Sequence, residues 1–296
     1  MPDIAIQATQ LIKNYGSVKA LRGVDLEVHK GEIFGFLGPN GAGKTTTIRC
    51  MLDLIRPNGG TLRVLGLNPQ KRAVEVRARS GYLPGELAFE GNMSVEAGLH
   101  YLGRLRSNKL DWAYVRKLAE RLDLDLRPQF KNLSKGNKQK VGVVQALMRH
   151  PELLLLDEPT ASLDPLMQQE VLRLVREARQ EGATIFFSSH ILSEVQDIAD
   201  RVGIIRQGVV VEVAETKALI NRSLRRVRVR FRKDVKADKI TSLPGISLLS
   251  KDDSSSLLLQ VEGEMDALIK ALAAFPVSDL TTEQPSLEEI FLTYYK

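Results

Sequence analysis

The stretch Gly38-Pro39-Asn40-Gly41-Ala42-Gly43-Lys44-Thr45 constrains this chain more than any other. It fits G-x-x-x-x-G-K-[ST] and lies between an apolar run at 33–37, IFGFL, and a helix-like segment that opens at Thr46. Strand, glycine loop and helix in that order form the setting in which the pattern carries meaning. Glycines let successive backbone N–H groups turn toward one point, and the dipole of the following helix favours negative charge there. The loop is therefore expected to cradle phosphates. Lys44 would reach the β and γ phosphates, and the Thr45 hydroxyl would ligate Mg²⁺. A chance match at four fixed positions arises on the order of one time in a hundred for a chain of this length, and the flanking strand and helix lower that further.

The 296 residues allow one large domain or a large one with a small companion; 43% hydrophobic and 26% charged residues suit a globular protein. No run approaches 18 consecutive apolar residues, and the opening MPDI forms neither a basic nor an apolar leader. Neither a membrane span nor secretion is expected. Cys50 is the only cysteine, which excludes an internal disulfide, a cysteine-rich zinc site and an iron–sulfur cluster, and points to the cytosol. It reads as a core residue. The net charge of +6 permits an anionic partner without requiring one.

Along the chain, strands are expected at 4–8, 11–16 and, in clean alternation, 24–28. Tyr15, beside Gly16, is either structural or placed to stack on a purine base. The helix after the glycine loop should run to about 55 and stop at Pro57-Asn58-Gly59-Gly60, before a strand at 61–65. Apolar residues at helical spacing then mark a helical insert at about 87–148 between two parts of an α/β core. Within it, Ser134 is a good N-cap for a helix whose first-turn N–H groups could also hold an anion. Next, four leucines at 153–156 run straight into Asp157 and Glu158. Ligands gather at the carboxyl ends of parallel strands, so these acids should meet Lys44 and Thr45. Neighbours on a strand face opposite ways, giving Asp157 to Mg²⁺ and Glu158 to the attacking water. A further buried strand at 184–187 leads through Ser188-Ser189 to His190, which could donate to the γ-phosphate, and then to a helix at 191–199.

Taken together, these residues resemble the ATP-binding cassette (ABC) ATPases over about 4–219. Tyr15 looks like the aromatic that stacks on adenine, and residues Gly38 to Thr45, with Thr46 following, look like Walker A. LSKGN at 133–137 is similar to the LSGGQ signature, 153–158 to Walker B, Ser162-Leu163-Asp164 to the D-loop, and His190 to the switch histidine. The resemblance implies an α/β P-loop NTPase cassette with a mixed sheet core, an N-terminal antiparallel β subdomain and a helical subdomain. It makes Glu158 the catalytic base and lets His190 position the γ-phosphate. It also implies a head-to-tail homodimer in which Ser134 and Gly136 serve the partner's ATP, with Asp164 coupling the copies. Two departures stand out. Lys135 replaces a glycine of the signature, as in the drug and antibiotic exporter branch. Gly85 occupies the place of a metal-binding glutamine, for which Glu86 or a water would have to substitute.

From about 221 the composition changes. Arg226, Arg228, Arg230 and Arg232 alternate with Val227, Val229 and Phe231, predicting a strand with one arginine face and one apolar face. A strand at 254–261, a helix at 265–275 and a last helix at 286–295, similar to the terminus of the same exporter branch, complete a small α+β C-terminal domain at 221–296 beside a cassette at 1–220. The arginine face is either a solvated surface protecting an edge strand or a contact for anionic lipid, an acidic loop or nucleic acid. The expected function is the ATP-hydrolysing subunit of a membrane exporter, peripheral on the cytoplasmic face and paired with a separate transmembrane permease. The competing reading is a soluble cassette ATPase acting on nucleic acid or ribosomes. Short spacing from Lys44 to Ser134, one cysteine and one cassette count against it, so no nucleic-acid partner is expected. A cassette that only binds ATP is disfavoured by the presence of both Glu158 and His190.

Overall fold

The computed structural model describes residues 3–87, 91–105, 110–221, 225–235, 238–253, 255–261 and 265–283. Two compact units divide the chain, Met1–Ala214 and Glu215–Lys296. In chain order the first unit contains β1 (Ile4–Tyr15), β2 (Val18–His29), β3 (Ile33–Leu37), α1 (Lys44–Met51), β4 (Gly59–Val64), α2 (Ala73–Arg79) and β5 (Ser80–Leu83). Helices α3 (Val95–Arg104), α4 (Trp112–Arg121) and α5 (Lys135–Leu147) follow, then β6 (Leu153–Asp157), α6 (Pro165–Gln180), β7 (Thr184–Ser189), α7 (Leu192–Ile198), β8 (Arg201–Arg206) and β9 (Val209–Glu215). The second unit begins at the end of β9 and holds α8 (Thr216–Asn221), β10 (Arg225–Phe231), α9 (Asp238–Thr241), β11 (Ile246–Asp253), β12 (Ser256–Val261), α10 (Asp266–Leu272) and β13 (Val277–Glu283). Because α8 goes with the second unit, the division falls a little before the expected 220.

Six strands in the order β5-β6-β7-β3-β8-β9 make the central sheet. Its pairs from β5 through β8 are parallel, and the two-residue turn Gln207-Gly208 then reverses the chain into β9. Every residue of β3, β6 and β7 is buried, which explains their unbroken apolar runs: a parallel sheet is covered on both faces and has no solvent side to alternate with. Phe34 stacks on Phe186 at 5.8 Å between centroids and Phe36 tilts against the same ring at 5.2 Å. Each fully buried side chain of this size stabilises the fold by about 1.5–3 kcal/mol. The carboxyl ends of β3, β6 and β7, where Gly38, Glu158 and His190 follow, therefore lie at one edge of a stiff platform.

A second, antiparallel sheet, ordered β2-β1-β4, forms the N-terminal layer. The separate strands expected at 4–8 and 11–16 are one strand. A bulge at Thr9 and Gln10 absorbs the break in alternation: Gln10 adopts φ 48° and its N–H donates to Asp25 Oδ1 at 2.8 Å. In the helical insert, Arg121 of α4 pairs with both Glu170 and Glu177 of α6. That clamp ties the insert to the core and holds the Arg121 guanidinium well above its ordinary range, through hydrogen bonding to Glu177 first.

The second unit is a four-stranded antiparallel sheet, β11-β12-β10-β13. Alternation in β10 is as expected: Val227, Val229 and Phe231 are buried, against Leu257, Leu259, Leu268 and Leu272. The edge-protection reading is wrong, because β10 is an interior strand with β12 on one side and β13 on the other. In register, Arg230 stands opposite Asp279 and Arg226 opposite Glu283. Acidic residues nearly match basic ones across 215–296, so the ladder does not make this unit strongly basic. The last helix expected at 286–295 lies outside the described residues.

Candidate functional site

The glycine loop is short and tethered, with Gly38, Ala42, Gly43 and Lys44 buried and Asn40 and Gly41 exposed at its tip. Gly41 has φ 79° and Gly43 φ 115°, values in the left-handed region where a side chain would be strained. A Cβ on Gly43 would also come within 2.9 Å of the Ala20 carbonyl oxygen, so only glycine fits this close approach to β2. Helix α1 starts at Lys44 with Gly43 as N-cap and no side-chain cap. Its first N–H groups thus face the loop without a competing hydroxyl or carboxylate.

Lys44 is only 5% exposed. Its ammonium donates to the Gly38 carbonyl at 2.6 Å and to that of Pro39 at 3.3 Å, and pairs with Glu158 Oε1 at 3.2 Å. The other Glu158 oxygen, Oε2, lies 2.6 Å from His190 Nδ1. Lysine, acid and histidine thus form one connected line, built from the ends of β3, β6 and β7. Glu158 itself adopts φ 53°, a left-handed conformation uncommon outside glycine that re-aims its side chain after the strand. Several bonds hold it there. Its N–H donates to the Ser188 carbonyl at 3.1 Å, and Gln139 Nε2 of α5 donates to the carbonyls of Glu158 and Pro159 at 2.9 and 3.0 Å.

Asp157, the last residue of β6, sits beside this line; the left-handed turn at Glu158, and not strand alternation, sets the two carboxylates apart. Its Oδ1 accepts from Ser188 Oγ at 2.5 Å, while its buried Oδ2 has no hydrogen-bond partner among the described residues. A Cβ added to Gly85 would come within 3.2 Å of that same Oδ2. A buried carboxylate oxygen without a proton donor fits a hard cation, and Thr45 and Glu86 line the same cleft. Among the described residues no group of three His, Cys, Asp or Glu side chains that could hold a metal stands together. Mg²⁺ bound here would take most of its ligands from phosphates and water.

These groups line a cleft of about 640 Å³ that includes Pro39, Asn40, Gly41, Gly43, Lys44, Thr45, Thr46, Glu86, Asp157, Glu158 and His190. The volume suits a nucleotide-sized ligand. Tyr15 is not among its lining residues; it ends β1, is 45% exposed, and carries Lys13 Nζ 5.2 Å from its ring centroid. Ser134 and Gly136 are likewise absent from the lining. Ser134 is exposed and caps α5, its Oγ accepting from Asn137 N at 3.2 Å, while a Cβ on Gly136 would meet the Ser162 carbonyl oxygen at 2.9 Å. Asp164 caps α6 through Leu166 N and Met167 N.

Two of the buried polar residues that escaped the sequence reading lie on helices beside the site. Gln139, just described, is one. The other is Glu194 of α7, whose carboxyl is pushed above its usual range chiefly by burial. The signal in the sequence was a carboxylate on a helix face otherwise made of Val195 and Ile198.

Strand-ended phosphate loop, paired acids and histidine on a parallel sheet define an α/β P-loop nucleotide-binding cassette. A family model described as ABC transporter matches residues 21–161. The bacitracin transport ATP-binding protein BcrA of Bacillus licheniformis is 40% identical over 217 residues, covering 70% of this chain and 68% of that protein. The daunorubicin resistance ATP-binding protein DrrA3 of Streptomyces coeruleorubidus is 33% identical, with 99% of this chain and 96% of that protein covered. A solved ATP-binding subunit of an ABC transporter superposes with TM-score 0.66 at 28% identity, over 73% of this chain and 91% of that one. A bacterial ABC transporter cassette solved as a dimer gives 0.66 at 19% identity, over 71% and 98%, which speaks to the fold alone. The chain belongs to the ABC transporter family and is one of its ATP-binding, ATP-hydrolysing subunits.

Proposed function

We propose that this ATPase energises a membrane exporter, working as a head-to-tail pair of cassettes attached to a separate transmembrane permease on the cytoplasmic face. The observation that carries the pairing is the separation of Ser134 from the cleft: an exposed helix start of the right chemistry for phosphate lies away from the loop that its own chain offers. In a pair, Ser134 and Gly136 would close over the partner's ATP, and Asp164 would lie near the junction. Within one chain, residues 38–46 hold the phosphates and Tyr15 stacks on adenine. Glu158 takes a proton from the attacking water, and His190 orients the γ-phosphate. The γ-phosphate competes with Glu158 for Lys44, so its arrival frees a carboxylate oxygen for the water. Mg²⁺, held by Thr45, Asp157 and either Glu86 or a water, would neutralise charge on the β and γ phosphates.

Export is supported by the relatives, one named for bacitracin transport and another for daunorubicin resistance. Among the described residues no helix is long and apolar enough to cross a membrane, so a translocation path has to come from another chain or segment. Fractionation of cells expressing the tagged chain tests the reading. The expected result is sedimentation with membranes together with a polytopic protein. Sedimentation with nucleic acid or ribosomes, and no membrane partner, would overturn it in favour of the soluble alternative.

A further inference from the structure

We propose that Glu194 is a positioning residue for hydrolysis: its carboxylate ties the loop that follows Glu158 to the strand end that carries His190, and so sets the contact between those two groups. The inference rests on the hydrolytic roles given above to Glu158 and His190.

Glu194 is 5% exposed and sits on α7, beneath the turn that leaves β7. Its Oε1 accepts from the Thr160 hydroxyl, and its Oε2 accepts from Ser189 Oγ at 2.8 Å. Thr160 lies two residues after Glu158, and Ser189 immediately precedes His190. Both hydroxyl residues are themselves buried, at 2% and 0% exposure, so neither has water as an alternative partner. Ser189 Oγ in turn accepts from Ile191 N at 2.9 Å, which fixes the turn on the far side of His190. One carboxylate thus joins the two chain segments that present the acid and the histidine, 2.6 Å apart at their tips.

The choice of residue follows from acceptor count. Two hydroxyls converge from different segments, and a carboxylate offers each its own oxygen. An amide offers a single acceptor, so glutamine would keep one hydroxyl as donor and would have to donate from its NH₂ to the oxygen of the other, reversing that bond. Alanine would lose both, taking away the acceptor of the buried Thr160 hydroxyl and leaving Ser189 Oγ only its bonds to Ile191. Glu158 is the residue that most needs such support, since its left-handed backbone would relax toward an extended conformation if the following loop came free.

The test is ATPase kinetics of the concentrated full-length chain, with nucleotide affinity and melting temperature measured alongside. Glu194→Ala should lower kcat by about 10- to 100-fold, the scale of a small misplacement of a reacting group, with KM and nucleotide affinity within about twofold of the unmodified chain. Glu194→Gln should recover part of the loss, and Thr160→Val, which removes one of the two bonds, should fall between. An unchanged kcat in Glu194→Ala overturns the proposal, as does a parallel fall of kcat, affinity and melting temperature with Thr160→Val normal. If Glu194→Ala does not fold, an unchanged kcat in both Glu194→Gln and Thr160→Val overturns it. An unmodified chain that binds ATP without hydrolysing it contradicts the hydrolytic roles instead, and separates the two failures.

Discussion

Two helix starts in this molecule carry the chemistry for phosphate, and they are finished differently. Helix α1 begins behind Gly43, with no side chain capping it and its first residue, Lys44, buried against the loop. Helix α5 begins behind Ser134, whose own hydroxyl satisfies Asn137 N, and the turn is exposed. A helix leaves four N–H groups without internal partners, and each can be served by a cap or by a ligand. The first start delegates that work to a ligand and surrounds it with Glu158, Asp157 and His190. The second has one of its N–H groups served by its own serine, and under the proposed pairing a phosphate would reach the rest only from another copy.

That contrast can be broken by mutation. Glu158→Gln should give the largest effect, a fall in turnover of about 10²- to 10⁴-fold. ATP binding should persist and paired chains should accumulate, seen by size-exclusion chromatography with ATP. Turnover equal to that of the unmodified chain would remove Glu158 from the chemistry. Lys44→Ala comes next: nucleotide affinity, measured by titration calorimetry, should weaken by about 10- to 100-fold, as expected for a lost charge-assisted bond of roughly 1.5–3 kcal/mol. Ser134→Ala should be mildest toward the single chain, costing about 1 kcal/mol of stability as a lost N-cap and leaving nucleotide affinity at low protein concentration unchanged. Its effect belongs in turnover at concentrations where chains pair. A loss of affinity matching that of Lys44→Ala would place both helix starts on one nucleotide and erase the distinction.

How much of this was legible beforehand depended on range. The loop at 38–45, the acids after 153–156 and the histidine after 184–189 are local patterns, and the parallel sheet gathers them because strand ends are where such a sheet places its loops. The alternation of Arg226 to Phe231 was equally local and gave the two faces of β10 correctly. Which strands flank β10 was not: strand order is set by pairing across many residues, and β13, with Ser278, Asp279 and Glu283 among its seven residues and no period-two apolar alternation, has little strand-like signal. The bulge at Gln10 hid the continuity of β1 for a related reason, since a single extra residue breaks the period on which the reading relied. Gln139 and Glu194 were hidden by their helices, whose apolar neighbours explained the pattern without them.

Cys50 lies on α1, on the same helix as Lys44, and is 1% exposed; burial pushes its thiol up to about 11. At neutral pH the folded chain should therefore react only slowly with maleimides and similar reagents, whose nucleophile is the thiolate. A cysteine introduced on the surface would be the first position to take a fluorophore or spin label. Distances between two such labels would then follow the copies as they meet and part, with the native thiol left in place.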